Sequence, residues 1–288
     1  MTVVDTVAAS LQMGVRTLQS HSDSPRLDAE ILLCKVLDVS RTALIARSDE
    51  LVPDDGRQAY EKLIARRVRG APISYLTGSR EFWSLELTVT PDVLVPRPET
   101  ELVVELALAL CPLDQTHSVL DLGTGSGAIA LAIAAERPSV RITGIDISAP
   151  ALAVAMQNSR KLDLPHVQWR VGSWFDAVPG ERFDIIVANP PYVASGDPAL
   201  TKLAAEPLLA LASGPTGLEA LAAIIDRAAR HLNPRGWLLL EHGSAQAGQV
   251  AGLLGAHGFG CIRSHHDYSG KPRVTMGTVH SSHRVHLL

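Results

Sequence analysis

Three scarcities in this sequence narrow its class before any motif is considered. Cysteine is scarce: Cys34, Cys111 and Cys261 are odd in number and far apart. They form no C-x-x-C pair, so neither a disulfide framework nor a zinc or redox motif is suggested, and three buried free thiols are expected. Long apolar runs are missing. The nearest, Leu102 to Leu113, is interrupted by Glu105 and falls short of the roughly 18 uncharged apolar residues of a membrane span. Met1 to Ser20 mixes Asp5, Gln12 and Arg16 into its apolar pattern, which is unlike a signal peptide, and the expectation is a cytoplasmic protein with no membrane partner. A basic excess is missing too. The net charge is −4, and a chain that grips phosphate backbones is expected to be basic.

What is present is 288 residues that are 46% hydrophobic, enough for a substantial core in one large domain or two smaller ones. There is no internal repeat and no low-complexity tract. Charge is uneven: residues 1–80 carry 11 Lys/Arg and 10 Asp/Glu, leaving 15 and 20 for the rest, or +1 and −5. The basic residues cluster at Arg57, Lys62, Arg66, Arg67 and Arg69; a solvated helix face is the simplest account of the cluster, and a patch that meets RNA or an acidic protein is the alternative.

From Thr2 to about Gly70, apolar residues recur three and four apart, as in Leu27, Ile31, Leu32, Val36 and in Tyr60, Leu63, Ile64, Val68, which predicts helices. Phe82 to Val89 alternates at period two, Thr90-Pro91-Asp92 is a turn signal, and Val93-Leu94-Val95 returns, which predicts a β-hairpin. Pro96 and Pro98 fix the exit, and a helix follows over Glu99 to Leu110. Beyond His117, strands and helices alternate, with the last two strands around Phe259–Ser264 and Arg273–Val279 forming an edge hairpin. This predicts an α/β fold with a largely parallel sheet covered on both faces. The predicted organisation is a helical domain at 1–80, a β-hairpin linker at 81–97 and a catalytic domain at 98–288. The tail Ser281 to Leu288 is expected to be loose.

Two loops carry the chemistry. Val119 to Leu122 runs into Gly123-Thr124-Gly125-Ser126-Gly127 and a helix, so a glycine turn follows a strand and precedes a helix N-terminus. Gly123, Gly125 and Ala128 satisfy the loose dinucleotide fingerprint, and Asp146, about 20 residues on, satisfies its ribose-binding acid. A carboxylate there suits the ribose of NAD and that of S-adenosylmethionine alike, so this loop leaves both ligands open. The second loop, Asn189-Pro190-Pro191-Tyr192, ends the strand Phe183 to Ala188. Consecutive prolines remove backbone donors and leave rigid carbonyl acceptors beside the Asn189 amide. An NH2 group has two hydrogens to give. If the Asn189 side-chain oxygen and the Pro190 carbonyl take one each, a planar nitrogen is held with its lone pair aimed, which is what methyl transfer to an amide or aromatic amine requires. Tyr192 would pack on the planar group. A hydride-transferring enzyme has no evident use for such a loop.

With both loops in place the sequence resembles the release factor glutamine methyltransferases, the PrmC or HemK family, over nearly its whole length. Gly70-Ala71-Pro72-Ile73-Ser74-Tyr75-Leu76-Thr77-Gly78 with Glu81-Phe82-Trp83 looks like the family's interdomain segment, and Val95-Pro96-Arg97-Pro98-Glu99-Thr100-Glu101 like its entry to the catalytic domain. Glu206-Pro207, Ala210-Leu211 and Gly217-Leu218 resemble a later motif, while Gly214-Pro215-Thr216-Gly217 departs from a segment often acidic in relatives. The resemblance implies a class I S-adenosylmethionine-dependent methyltransferase domain, Rossmann-like with a seven-stranded sheet, behind a small helical substrate-recognition domain. It implies S-adenosylmethionine as cofactor, S-adenosylhomocysteine as product, and the Gly-Gly-Gln glutamine of peptide chain release factors one and two as acceptor, converted to N5-methylglutamine. Gly123, Thr124, Gly125, Ser126, Gly127, Asp146, Trp174 and Asn189 fall on the family's cofactor positions. Asn189, Pro190, Pro191 and Tyr192 fall on its substrate positions, with Asn189, Pro190 and Tyr192 expected to act in catalysis. From the sequence alone Trp174 is equally well an ordinary core tryptophan. A monomer is expected.

The main rival is an amino-group methyltransferase acting on adenine or guanine in nucleic acid, because an extruded base also offers an exocyclic NH2 to such a loop. Residues 1–80 weigh against it and against any stable nucleic-acid partner, being nearly neutral with only Tyr60 and Tyr75 as aromatics. An NAD-dependent dehydrogenase and a non-catalytic release-factor adaptor are further readings. The histidines at 265, 266, 280, 283 and 286 sit in an edge hairpin and a tail, where solvated side chains are expected and no metal site.

Overall fold

A computed structural model describes residues 6–113 and 115–279. The tail and its histidines at 280, 283 and 286 lie outside the described residues. The described residues fall into two compact units divided after Ser79.

The first unit consists of α1 (Val7–Leu18), α2 (Pro25–Leu37), α3 (Arg41–Ala46), α4 (Asp54–Val68) and α5 (Ile73–Thr77). Its core holds Leu18, Leu32, Leu33, Tyr60 and Ile64. Gly14 sits mid-helix in α1, where glycine costs roughly 1 kcal/mol against alanine. Tyr60 explains it: a Cβ at Gly14 would lie 2.0 Å from the Tyr60 hydroxyl, which itself donates to the Ala29 carbonyl at 3.2 Å. The period of α2 is shifted from the expected one. Leu27 is exposed while Ala29, Leu32 and Leu33 are buried, because Asp28 and Glu30 also turn inward to meet Arg67 and to meet Arg26 and Arg41. The basic cluster is therefore only partly a solvated face: Lys62, Arg66 and Arg69 are exposed, Arg57 pairs with Asp54 and Glu61, and Arg67 binds Asp28 at 2.7 Å.

The second unit opens with a hairpin of β1 (Ser79–Phe82) and β2 (Leu85–Thr88). Here the structure corrects the sequence expectation. The chain reverses at Trp83-Ser84, and Val93 to Val95 forms no strand. Trp83 and Ser84 have φ of 52° and 58°, both in the left-handed region as a type I′ turn requires, without the glycine or asparagine that would announce it. Glu101 and Glu136 hold the turn, accepting from the Trp83 backbone N–H and indole N–H, each at 2.9 Å.

After a single 3-10 turn at Pro98–Thr100 come α6 (Glu101–Leu110), β3 (Ser118–Leu122), α7 (Ala128–Glu136), β4 (Arg141–Asp146), α8 (Ala149–Lys161), β5 (Gln168–Val171) and β6 (Phe183–Ala188). Then follow α9 (Ala199–Lys202), α10 (Leu208–Leu211), α11 (Glu219–Ala228), β7 (Leu232–Glu241), α12 (Ala247–Ala256), β8 (Phe259–His266) and β9 (Pro272–Val279). Seven strands form one sheet in the order β5-β4-β3-β6-β7-β9-β8, parallel as far as β7 and antiparallel at β9 and β8. Successive residues of β3 feed opposite cores: Val119 packs with α6 and α7, Leu120 and Leu122 with α11 and α12. Strand order reverses between β3 and β6, and open α/β sheets bind ligands at such a switch point, beyond the carboxyl ends of the strands. The edge hairpin is present, but Cys261 lies in a bulge of β8 with φ of 49° and is exposed; Cys34 is half-buried, and only Cys111 is the expected buried thiol. Among the described residues no helix is long and apolar enough to cross a membrane, and no cluster of His, Cys, Asp and Glu is arranged to hold a metal.

Candidate active site

Register brings the two signature loops together. Leu122 of β3 lies opposite both Ala188 of β6 and Ile145 of β4, so Gly123, Asn189 and Asp146 leave the sheet side by side. Asp146 in turn lies opposite Val171, whose strand leads into Gly172-Ser173-Trp174. These segments bound a cavity of about 290 Å³, closed on its other sides by residues 92–100 and 207–212.

The glycine loop is locked from below. Gly123 and Thr124 both donate to the Ile145 carbonyl, at 2.8 and 2.9 Å, and the Thr124 hydroxyl donates to Asp121 at 2.6 Å. Gly125 donates to Oδ2 of Asp146 at 2.9 Å while Ser148 donates to Oδ1 at 2.8 Å, so this carboxylate fixes the loop and retains lone pairs for a ligand. Buried Asn158, which the sequence does not announce, donates to the Ser126 and Thr88 carbonyls at 3.0 Å each and ties the loop to β2. Gly123, Thr124, Gly125, Ser126, Asp146, Trp174, Asn189 and Pro191 line the cavity, whereas Gly127, Pro190 and Tyr192 do not. Gly127 serves packing: with φ of 82°, it would place a Cβ 2.9 Å from the Trp169 ring.

The second loop is held by segments distant in sequence. The Asn189 side-chain N–H donates to the Thr100 hydroxyl at 3.1 Å, which leaves its oxygen as the free end of the amide. The Tyr192 carbonyl accepts from Gln246 at 3.1 Å, and a Cβ at Gly217 would lie 2.4 Å from that same oxygen, so the Gly217-Leu218 motif is a close backbone approach. Glu206, buried, accepts from the Val95 backbone and from the Arg97 guanidinium, pinning the Pro96-Arg97 wall to the Pro207 wall. Beside Asn189, just past the Ala188–Leu240 pair of β6 and β7, lies Glu241, whose carboxylate receives the Tyr192 hydroxyl at 3.4 Å.

Burial dominates the electrostatics. It raises the Asp146 carboxyl above its ordinary value, opposed by the N–H groups of Ser148, Gly125 and Ile147. It pushes Asp121 and Glu241 each up to about 7, and drives the Tyr192 phenol upward as well. Asn158 and Glu241 carry no sequence signature, and Thr100, although it lies in the Val95–Glu101 segment, is shown to act on Asn189 only by its contact in the folded chain.

The description "PrmC N-terminal domain" matches residues 9–78, and "Methyltransferase small domain" matches residues 102–215. A release factor glutamine methyltransferase from Aliivibrio fischeri is 41% identical over 276 residues, which is 94% of this chain and 96% of that protein. One from Salmonella typhimurium is 45% identical over 258 residues, 89% of this chain and 93% of that protein. This chain belongs to the release factor glutamine methyltransferase family. The fold of its second unit is that of class I S-adenosylmethionine-dependent methyltransferases. The 16S rRNA N2 G1207 methyltransferase of T. thermophilus superposes with a TM-score of 0.55 at 22% identity, over 70% of this chain and 49% of that one, a likeness of fold alone.

The cavity of this family member fits S-adenosylmethionine on its own evidence. Its walls are mainly apolar, with the Trp174 ring beside Gly123 and the half-buried Asp146 carboxylate at the end of β4, which suits a flat base joined to a ribose diol. A Cβ at Gly125 would meet nothing within 4 Å, so the loop stands open toward the cavity.

Proposed function

We propose that this chain transfers a methyl group from S-adenosylmethionine to the side-chain amide nitrogen of the glutamine in the Gly-Gly-Gln motif of peptide chain release factors one and two. The observation that carries the reading is the Asn189 amide, turned by Thr100 so that its oxygen is the free end, in the wall of the cavity that the glycine loop and Asp146 also line. Asp146 would accept from the ribose hydroxyls, Gly123 to Ser126 would lie against the cofactor, and Trp174 would flank the base. When bound, S-adenosylmethionine supplies an electrophilic methyl group on a sulfonium. An amide nitrogen is a poor nucleophile because its lone pair is delocalised, so orientation must supply much of the barrier lowering, up to about 7–11 kcal/mol. Asn189 Oδ1 would hold one hydrogen of the acceptor NH2 from the cavity wall and the Pro190 carbonyl, beside the lining rather than in it, would take the other, while Pro191 keeps the loop rigid. No strong base is needed, since the methylated nitrogen is acidic and releases its proton readily to a carbonyl or to water. Tyr192, its hydroxyl tied to Glu241, packs against the core outside the cavity lining and would support the loop rather than the substrate.

The protein acceptor is favoured over a nucleic-acid base by the near-neutral first unit, whose Arg57 and Arg67 are already engaged with acidic partners. Labelled methyl transfer offered release factor, DNA and RNA together tests the choice: label is expected in the release factor, and equal labelling of nucleic acid overturns it.

A further inference from the structure

Two large apolar side chains stand in water at the mouth of the cavity. Leu208 and Leu209, consecutive on α10, are each 63% exposed. Leu209 also lines the cavity, together with Pro207, Ala210, Asn189 and Pro191, whereas Leu208 lies outside the lining. A lone exposed leucine is ordinary, but an apolar step that runs without a break from the interior of a site onto the open surface marks a place of contact.

The step is firmly held, so its exposure is not that of a loose loop. Just before it, Glu206 is buried and accepts from the Val95 backbone at 3.2 Å and from the Arg97 guanidinium. Just after it, Leu211 is buried and its carbonyl accepts from the Val193 N–H at 3.0 Å. Ser213 donates to the Val193 carbonyl at 2.9 Å, which pairs Ala212 with Val193 in parallel. Val193 directly follows Asn189-Pro190-Pro191-Tyr192. Backbone hydrogen bonds therefore join the leucine step and the acceptor loop into one frame, and the step keeps a fixed place relative to Asn189.

We propose that Leu208 and Leu209 form a docking lip on which the release factor lays the chain flanking its acceptor glutamine. A glutamine side chain that reaches Asn189 leaves its own backbone and its neighbours at the mouth, where this lip begins. The two glycines of the Gly-Gly-Gln motif have no Cβ to hold that backbone away from the leucines. Residues 207–212 carry no charge, and Arg97, in the adjoining wall, is already paired with Glu206. The lip thus fits apolar contact with a protein chain and offers no cation to a phosphate backbone.

The inference rests on the release factor being the methyl acceptor. It is tested by steady-state methyl transfer to full-length release factor with the wild type, Leu208→Ser, Leu208→Met, Leu209→Ser and Leu113→Ser. S-adenosylhomocysteine affinity, measured on each by calorimetry, monitors folding and the cofactor half of the cavity. Leu113 is 74% exposed but lies on the connection into the amino end of β3, away from the loops, and Leu113→Ser should match the wild type. Leu208→Ser should raise KM for release factor on the order of 10-fold, as expected for a leucine buried only in the complex, with kcat and S-adenosylhomocysteine affinity little changed. Leu209→Ser should raise KM at least as much. Leu208→Met, which stays apolar, should remain close to the wild type. An active wild type whose two serine variants keep its KM overturns the inference and spares the proposed function. So does a loss confined to S-adenosylhomocysteine affinity, or a loss in Leu208→Met as large as that in Leu208→Ser. A wild type that transfers no methyl group to release factor overturns both.

Discussion

The third glycine of Gly123-Thr124-Gly125-Ser126-Gly127 separates packing from ligand contact, and Gly127→Ala measures the difference. Alanine at φ of 82° pays about 1–2 kcal/mol for a left-handed backbone. Its Cβ would also stand 2.9 Å from the Trp169 ring, 3.1 Å from Leu131 and 3.3 Å from Ala155, contacts at which a full core must shift. Overpacking of that kind costs about 1–3 kcal/mol, for a total of about 2–5 kcal/mol. Against a usual stability of about 5–15 kcal/mol this is a large loss. The control is Gly125→Ala, with φ of 56° and nothing within 4 Å of the added Cβ, which should lose only the backbone cost. All 4 tryptophans lie beyond residue 80, so urea unfolding followed by their fluorescence reports the second unit alone. Gly127→Ala is expected to be less stable than Gly125→Ala by about 1–3 kcal/mol, and Gly125→Ala to show the larger loss of S-adenosylhomocysteine affinity. Equal stability losses, or a greater loss in Gly125→Ala, would refute the packing role of Gly127.

Asp146→Asn removes the charge that fixes Gly125 and would receive the ribose. Charge-assisted hydrogen bonds of this kind are worth about 1.5–3 kcal/mol, so calorimetry should show S-adenosylhomocysteine binding weakened by at least about tenfold, and unchanged affinity would count against the assignment. Asn189→Ala removes one acceptor in the cavity wall; steady-state kinetics should show kcat/KM for release factor lowered on the order of 10²-fold with cofactor affinity nearly intact, and full turnover would contradict the mechanism. Asp121 has a carboxyl raised by burial to about 7 in the folded chain. An acid with a raised folded-state pKa contributes stability below its unfolded value and loses it as pH rises to the folded value. Asp121→Asn should therefore gain stability relative to wild type as pH rises from about 4 to about 7, by up to a few kcal/mol at ~1.4 kcal/mol per unit, and level off above; a difference independent of pH would exclude the shift.

Elements whose signals are local were legible in the sequence. The strand, glycine turn and helix at 119–136 and the loop at 189–192 each carry their chemistry in consecutive residues, and period-two and period-3.6 patterns placed most of the sheet and helices. What escaped is non-local or conformational. The turn at Trp83-Ser84 has left-handed residues whose types disfavour that state, and it is held by Glu101 and Glu136 from elsewhere in the chain. The shifted face of α2 follows from Asp28 and Glu30 finding arginines across the bundle. Exposure of Cys261 follows from a bulge set by the register between β8 and β9. The hydrogen bond that orients Asn189 comes from Thr100, 89 residues away, and sequence spacing holds no trace of it.

The central claim is that the loop at 189–192 delivers a glutamine amide to the methyl donor. Incubation of the protein with S-adenosylmethionine and full-length release factor, followed by proteolysis and fragmentation mass spectrometry of the Gly-Gly-Gln peptide, tests it most directly. The account predicts one added methyl group on the glutamine side-chain nitrogen, absent when Asn189→Ala replaces the wild type. A methyl group on any other atom of the release factor, or an unmodified Gly-Gly-Gln peptide beside methylated nucleic acid, would contradict it.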